Sequence, residues 1–320
     1  MDKILVSVLL NFGLLIIPLL ISVAYLTLGE RKLMGAIQRR EGPNVVGFIG
    51  LLQPLSDGLK LFVKETIVPI NAENILFIIG PILTFTLSLI NWSIIPIGSS
   101  VIADIHHGIP FFLAVSSLAV YGVLISGWSS NSKYSFLGGL RSAAQMIAYE
   151  VSFGLILISI VLCSGSLCFS EIVEIQKTQY LGLPLFPLTF LFYISSLAET
   201  NRHPFDLPEA ESEIVSGYNT EYSSMQFALF FLGEYANMIS MGALGSVLFT
   251  GGSVLGVLSG IFLGLKICLY LSGFIIIRAT IPRLRYDQLM RFGWKCLLPI
   301  SLSFVLFNAG ILFGFNILPG

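Results

Sequence analysis

Charged residues are scarce in this sequence. Asp, Glu, Lys and Arg make up 11% of its 320 residues, whereas 55% of the residues are hydrophobic. A soluble domain is about 25% charged, so this composition argues against a soluble protein and indicates a polytopic membrane protein. The formal net charge of -1 gives no sign of the basic surface that nucleic-acid binding requires, so no nucleic-acid partner is predicted.

Cysteine and histidine are also rare, with four and three copies. None of them has the spacing of metal ligands, so the sequence predicts no metal site. Free apolar cysteines are favoured over a disulfide between Cys163 and Cys168. No nucleotide-binding motif, no catalytic Ser/His/Asp or Cys/His arrangement and no internal repeat is visible. The missing repeat argues against a transporter built from inverted repeats.

Long apolar runs dominate the rest of the chain. A membrane-spanning helix needs about 20 apolar residues, and eight segments qualify, the fifth being the shortest. The first run is too long for a signal peptide, so it is predicted to be a retained span. We expect an all-α polytopic membrane protein with eight transmembrane helices in a single membrane domain, 1–320. The predicted spans are about 4–28, 75–97, 110–128, 142–163, 183–200, 225–249, 254–277 and 296–317.

The distribution of positive charge predicts the orientation. The segments that follow spans 1, 3, 5 and 7 hold 14 of the 17 Lys and Arg residues. By the positive-inside rule, these segments face the cytoplasm or the matrix of an organelle. We call this side the inner face.

The first inner segment contains an amphipathic pattern at 55–68. Leu55, Leu59 and Phe62 share one helical face, and Lys60 and Lys64 lie on the other. This pattern predicts a helix that lies in the membrane interface. The alternative is a cytosolic amphipathic helix packed on the neighbouring loops.

An acidic stretch at 198–222 lies between the fifth and sixth spans, on the predicted inner face. It contains 6 of the 18 acids of the chain: Glu199, Asp206, Glu209, Glu211, Glu213 and Glu221. Closely spaced carboxyls titrate as a coupled group, which suits proton handling. A solvated acidic loop, or a docking patch for a partner protein, is the competing interpretation.

Ionisable residues also occur inside predicted spans. Glu150 lies in span 4, Glu199 closes span 5, Glu234 lies in span 6 and Lys266 lies in span 7. A low-dielectric surrounding disfavours an ionised carboxyl, so such acids can load and release protons. Together with the neighbouring acids they favour a proton or ion pathway over a purely structural role. We expect Lys266 to pair with Glu150 or Glu234, and we include it in this pathway.

Several long motifs resemble one family. They are the Glu30-Arg31-Lys32 triplet, EGPNVVG at 41–47, LLQPLSDGLK at 51–60, RSAAQMIAYEVS at 141–152, the segment 198–219, FLGEYANM at 231–238 and RATIPRLRYDQLMRFGWK at 278–295. Together they resemble the subunit 1 family of proton-pumping NADH:ubiquinone oxidoreductase, respiratory complex I. The membrane subunits of some nickel–iron hydrogenases are more distant relatives.

The resemblance implies roles for individual residues. The family forms the membrane side of the ubiquinone chamber, and its chain binds no flavin and no iron–sulfur cluster. The residues expected to line or support the chamber are Glu30, Arg31, Arg141, Asp206, Glu209, Glu213, Arg278 and Arg283. The residues expected on the proton-linked path are Glu150, Glu199, Glu221 and Glu234.

The resemblance also implies partners and a location. The expected partners are the hydrophilic-arm subunits that carry the terminal iron–sulfur cluster, and the antiporter-like and small subunits of the membrane arm. We expect the mitochondrial inner membrane, with a bacterial plasma membrane as the alternative. An ion-coupled transporter, a hydrogenase anchor subunit and a purely structural anchor remain alternative functions.

Overall fold

The computed structural model describes residues 2–98, 101–207, 215–252 and 259–316. These residues are helical or irregular and contain no β-strand. The α-helices, in chain order, are α1 (Asp2–Ile37), α2 (Gln53–Val63), α3 (Asn74–Ile90), α4 (Gly108–Ser129), α5 (Lys133–Ser164), α6 (Phe169–Ile175), α7 (Phe186–Glu199), α8 (Ser224–Thr250), α9 (Ser259–Thr280), α10 (Tyr286–Arg291) and α11 (Leu298–Gly314). A π-helical turn at Phe292–Leu297 joins α10 to α11.

Seven helices among the described residues are long and apolar enough to cross a membrane. The chain is therefore a polytopic helical membrane protein. The fifth predicted span corresponds to α7, which has 14 residues. At 1.5 Å per residue, α7 is about 21 Å long, shorter than a hydrocarbon core of about 30 Å. A full crossing at this position stays a prediction.

Several helices extend beyond the predicted apolar spans. α1 continues to Ile37, nine residues past the predicted end at 28, so Arg31 and Lys32 lie on a helix and not in a loop. α5 begins at Lys133, nine residues before the predicted start, and Ser132 caps it by accepting a hydrogen bond from the Ser135 N–H. The reason is that hydropathy marks the membrane-embedded part of a helix, whereas caps and helix-favouring residues determine its ends.

The interior is built around α8, which packs against α1, α3, α7 and α9. α8 is the most deeply buried of the seven long helices. Its aromatic contacts include Phe249, which packs edge-on against Phe192 of α7 at a centroid distance of 5.2 Å. Glu234 and Tyr235 belong to this buried helix. Their side chains therefore lie in the protein interior and not on the lipid-facing surface.

The amphipathic helix α2 ends at Val63, five residues before the predicted end at 68. The Ser224 hydroxyl donates hydrogen bonds to the carbonyls of Leu61 (3.1 Å) and Lys64 (2.6 Å), so a side chain replaces the next helical turn. Leu55, Leu59, Phe62 and Val63 are 60–83% exposed on α2. A location in the membrane interface remains a prediction, and this apolar face is consistent with it.

A glycine pair holds part of the acidic stretch against α5. A Cβ atom on Gly138 would lie 2.6 Å from the Cα atom of Gly217, closer than real Cβ contacts come. The two backbones can therefore touch only because residue 138 is glycine. The Ser135 hydroxyl adds a hydrogen bond to the Tyr218 carbonyl at 3.2 Å. These contacts fix the chain that leads from the acidic stretch into α8.

Candidate functional site

Four charged side chains meet between α1, α8, α9 and the segment after α7. Arg202 Nη1 lies 3.1 Å from Glu30 Oε1, and Arg202 Nε lies 3.0 Å from Glu234 Oε1. Arg278 also pairs with Glu30 Oε1. The Tyr235 hydroxyl donates a hydrogen bond of 2.5 Å to Glu30 Oε2, and its ring lies under the Arg202 guanidinium. We call these five residues the charge cluster.

The charge cluster is deeply buried and balanced in charge. The side chains of Glu30 and Arg202 are 4% and 8% exposed. Burial disfavours the charged form of Arg202, but the nearby Glu234, Tyr235 and Glu30 outweigh that effect and raise its pKa well above the usual value. Two carboxylates thus face two guanidinium groups. Buried charges are tolerated when they are paired in this way. Removing one charged side chain leaves an opposite charge buried without a partner.

A second ionic group joins the acidic stretch to the segment after α9. The Asp206 carboxylate is 3% exposed and accepts a hydrogen bond of 2.9 Å from Arg283 Nη2. His203 Nε2 lies 3.0 Å from the same carboxylate oxygen. The Leu284 N–H donates to the Pro204 carbonyl at 3.1 Å. Two inner segments that are about 80 residues apart in the sequence are therefore bound together beside the charge cluster.

Gln145 of α5 positions the chain between these two ionic groups. Its Nε2 donates hydrogen bonds to the carbonyls of Ala198 (2.9 Å) and Phe205 (2.7 Å). Gln145 is fully buried. It therefore connects the end of α7 to the segment that carries Arg202 and Asp206, and it fixes where both side chains enter the site.

A small cavity extends the site into the helix bundle. Its volume is about 70 Å³, and both Glu199 and Glu234 line it. Glu199 is buried at the end of α7 and lies close enough to Glu150 for their charges to interact. Much of the remaining lining is polar, including Ser88, Asn91, Ser116, Asn201 and Asn237.

Two grooves lie on the protein surface near the charge cluster. One, of about 380 Å³, lies between α1, α2 and the start of α8, and its lining includes Arg31, Asp57, Lys60 and Tyr222. Arg31 pairs with Asp57 at 2.9 Å, which joins α1 to α2. The other groove, of about 850 Å³, is mainly apolar and lies between α1 and α9.

The structure brings together residues that the sequence assigned to separate roles. Glu30 and Arg278, expected in a chamber, contact Arg202, which also pairs with Glu234 of the expected proton path. Arg141 faces the Tyr286 ring at 5.8 Å. Glu221 is half-buried just before α8. Glu209 and Glu213, together with Glu211, lie outside the described residues.

The predicted pairing of Lys266 with a buried acid is wrong. Lys266 Nζ donates hydrogen bonds to the carbonyls of Thr250 (2.6 Å) and Gly252 (2.9 Å), at the C-terminal end of α8. α9 is described from Ser259, so Lys266 lies about two turns into the described helix and within reach of the end of α8. A cation is favourable there, because a helix C-terminus carries partial negative charge.

We expect Lys266→Met to destabilise the outer end of α8. The loss is about 1–2 kcal/mol, the range for a partly buried cation at a helix C-terminus. It is measured as a lower temperature of thermal inactivation of the assembled protein. Lys177→Met is the control, since Lys177 is 54% exposed and pairs with the exposed Glu174 at 3.4 Å. Equal inactivation temperatures for both variants contradict this role of Lys266.

Three residues of the site were not predicted from the sequence. Arg202 is the only Lys or Arg in the acidic stretch at 198–222. Tyr235 directly follows Glu234, and Gln145 is a polar residue within a predicted span. A lone base among six acids was a usable signal, because a buried arginine needs acidic partners.

The fold and the site together define a multi-pass helical membrane protein with a paired charge cluster in its interior. The model of the NADH dehydrogenase family matches residues 10–309. The chain belongs to this family. It is 60% identical to NADH-ubiquinone oxidoreductase chain 1 of Chondrus crispus, over 98% of this chain and 99% of that protein. It is 56% identical to a subunit of the NADH-quinone oxidoreductase of Paramagnetospirillum magneticum, over 98% and 95%.

Proposed function

We propose that this chain is the core membrane subunit of respiratory complex I that forms the membrane side of the ubiquinone chamber. In this role it couples quinone reduction to proton translocation. Alone it catalyses nothing; it acts as part of an NADH:ubiquinone reductase. The proposed location is the mitochondrial inner membrane, and the similarity to the Paramagnetospirillum magneticum protein keeps a bacterial plasma membrane as the alternative.

Two surface features support a chamber for a quinone with a long apolar tail. The groove at Arg31 lies along the charged face of α2, and the opposite face of this helix is apolar and exposed, so a tail dissolved in lipid can approach along α2. Cationic groups at the inner end, including Arg31 and Lys60, suit a headgroup that gains electrons. The ionic group of Asp206 and Arg283 supports the same region from the neighbouring inner segments.

The proposed chemistry divides between this chain and its partners. Reduction of a quinone to a quinol needs two electrons and two protons. In this proposal, the hydrophilic-arm subunits supply the electrons from their terminal iron–sulfur cluster, and carboxyl groups of this chain supply protons to the chamber. The charge of these carboxyl groups then changes, and in this proposal that change acts on the antiporter-like and small membrane-arm subunits.

The contact of Arg202 with both Glu30 and Glu234 carries the coupling proposal. Because the charge cluster is balanced, a proton gained by either carboxylate leaves one guanidinium without its partner. In a low-dielectric interior, that imbalance favours a different arrangement of the paired groups. A redox event in the chamber can thus change the proton occupancy of Glu234 and, across the cavity, of Glu199.

We expect Glu199→Gln in the assembled complex to reduce NADH-driven quinone reduction at least about tenfold, since a positioned proton-transfer group typically contributes 10²–10⁴-fold. Glutamine keeps the shape of the side chain but does not titrate. NADH oxidation with a water-soluble artificial acceptor should be unchanged, because that reaction bypasses the quinone chamber.

Glu171→Gln is the matched control for this experiment. Glu171 lies in the short outer helix α6 and is exposed, so its neutralisation should leave both rates unchanged. The proposal is wrong if the Glu199→Gln complex assembles normally and retains full quinone reduction and full proton pumping.

A further inference from the structure

Several residues that line the cavity between Glu199 and Glu234 carry buried acceptor oxygens. Among the described residues, Glu199 Oε2, Asn201 Oδ1 and Asn91 Oδ1 are buried and have no hydrogen-bond partner. All three residues line the same cavity. A buried polar atom without a partner is costly, so these oxygens require donors.

The hydroxyl groups of Thr84, Ser88 and Ser116 in the cavity wall do not supply those donors. Thr84 donates to the Pro81 carbonyl at 2.9 Å, Ser88 to Phe85 at 2.7 Å and Ser116 to Leu113 at 2.9 Å. Each of these protons is committed to its own helix. A molecule inside the cavity, or a protonated carboxyl, can supply the donors that these oxygens lack.

Water fits this cavity in size and in chemistry. The volume is about 70 Å³, and one water takes about 30 Å³ and needs two to four polar partners. There is room for about two molecules, each able to donate two hydrogen bonds. The carboxyl groups of Glu199 and Glu234 are then connected through donors and acceptors that can pass a proton.

We propose that Asn201 is a positioning residue that holds water between Glu199 and Glu234 and keeps the proton connection between them intact. The inference rests on the proposed function, because it assigns a role within that proton path. Asn201 follows the end of α7 in the left-handed conformation, with φ of 51°. Asparagine tolerates this conformation better than most residues, so the backbone directs its side chain to the cavity at little cost.

Asn201→Gly in the assembled complex tests the proposal. Glycine accepts the positive φ and removes only the amide group. We expect the quinone-reduction rate at saturating quinone to fall about fivefold, the equivalent of losing one hydrogen bond of about 1 kcal/mol. The KM for quinone and the artificial-acceptor rate should not change, and the rate ratio between H2O and D2O should increase.

Asn131→Gly is the matched control. Asn131 also follows a helix end with φ of 51°, but its side chain donates to the Asn71 carbonyl at 3.1 Å and does not line the cavity. Equal rates and equal isotope ratios in the two variants overturn the proposal. If Asn201→Gly does not assemble, a wild-type density map that resolves waters decides: ordered water within hydrogen-bond distance of Asn201 and Glu199 supports the proposal, and its absence overturns it.

Measuring a Glu199→Gln complex in parallel distinguishes a failure of the Asn201 proposal from a failure of the proposed function. Loss of activity in Glu199→Gln, with Asn201→Gly unaffected, contradicts the role of Asn201 alone. Full coupled activity in Glu199→Gln contradicts the proposed function itself.

Discussion

Arg202→Met is expected to prevent the chain from assembling into a stable complex. The substitution removes the ion pairs with Glu30 and Glu234 and leaves one or both carboxylates buried without a full complement of positive charge. Breaking a buried pair costs about 3–5 kcal/mol, a large part of the 5–15 kcal/mol by which proteins are typically stable. Native gel electrophoresis of solubilised membranes measures the amount of assembled complex.

Two further variants test whether charge imbalance is the cause. Arg31→Met removes the ion pair between Arg31 and Asp57. The side chains of Arg31 and Asp57 are 51% and 39% exposed. Exposed pairs contribute about 0–1 kcal/mol, so this variant should assemble normally. Adding Glu234→Gln to Arg202→Met removes one unpaired charge and should restore part of the assembly. Normal assembly of Arg202→Met alone would show that the cluster does not stabilise the fold.

Glu234→Gln alone is expected to reduce assembly less than Arg202→Met does and to lower coupled turnover. Arg202 keeps its pair with Glu30, and glutamine fills the same space in the cavity wall. The variant cannot carry a proton between the charge cluster and the cavity. Quinone reduction should fall on the order of 10²-fold, the lower end of typical general acid–base contributions. Glu174→Gln, on the exposed outer surface, is the control and should behave as wild type.

The location of most spans could be predicted from the sequence, because an apolar run of sufficient length has few alternatives to a membrane helix. The helix ends could not be predicted in the same way. Hydropathy does not detect that α1 continues to Ile37, or that a π-helical turn interrupts the last helix at Phe292–Leu297. Such turns depend on tertiary packing. Here the Tyr149 hydroxyl donates a hydrogen bond of 3.0 Å to the Leu289 carbonyl.

The site could be predicted residue by residue but not as an arrangement. Buried acids such as Glu234 stand out against an apolar background, and Glu30 and Arg278 lie in recognisable motifs. Their meeting depends on contacts across about 170 to 250 positions in the sequence, which no local pattern specifies. Lys266 shows the opposite error: its position within an apolar run suggested an acidic partner, whereas it donates to carbonyl groups at the end of α8.

Proton translocation by the Glu234→Gln complex in sealed proteoliposomes is the most direct test of the central claim, that the charge cluster couples the chamber to the proton path. NADH-driven quinone reduction and the accompanying pH change are recorded together, with Glu174→Gln vesicles prepared in parallel. The account predicts that both signals fall sharply in Glu234→Gln while oxidation of NADH by an artificial acceptor continues. Normal quinone reduction with normal proton translocation in that variant would contradict it.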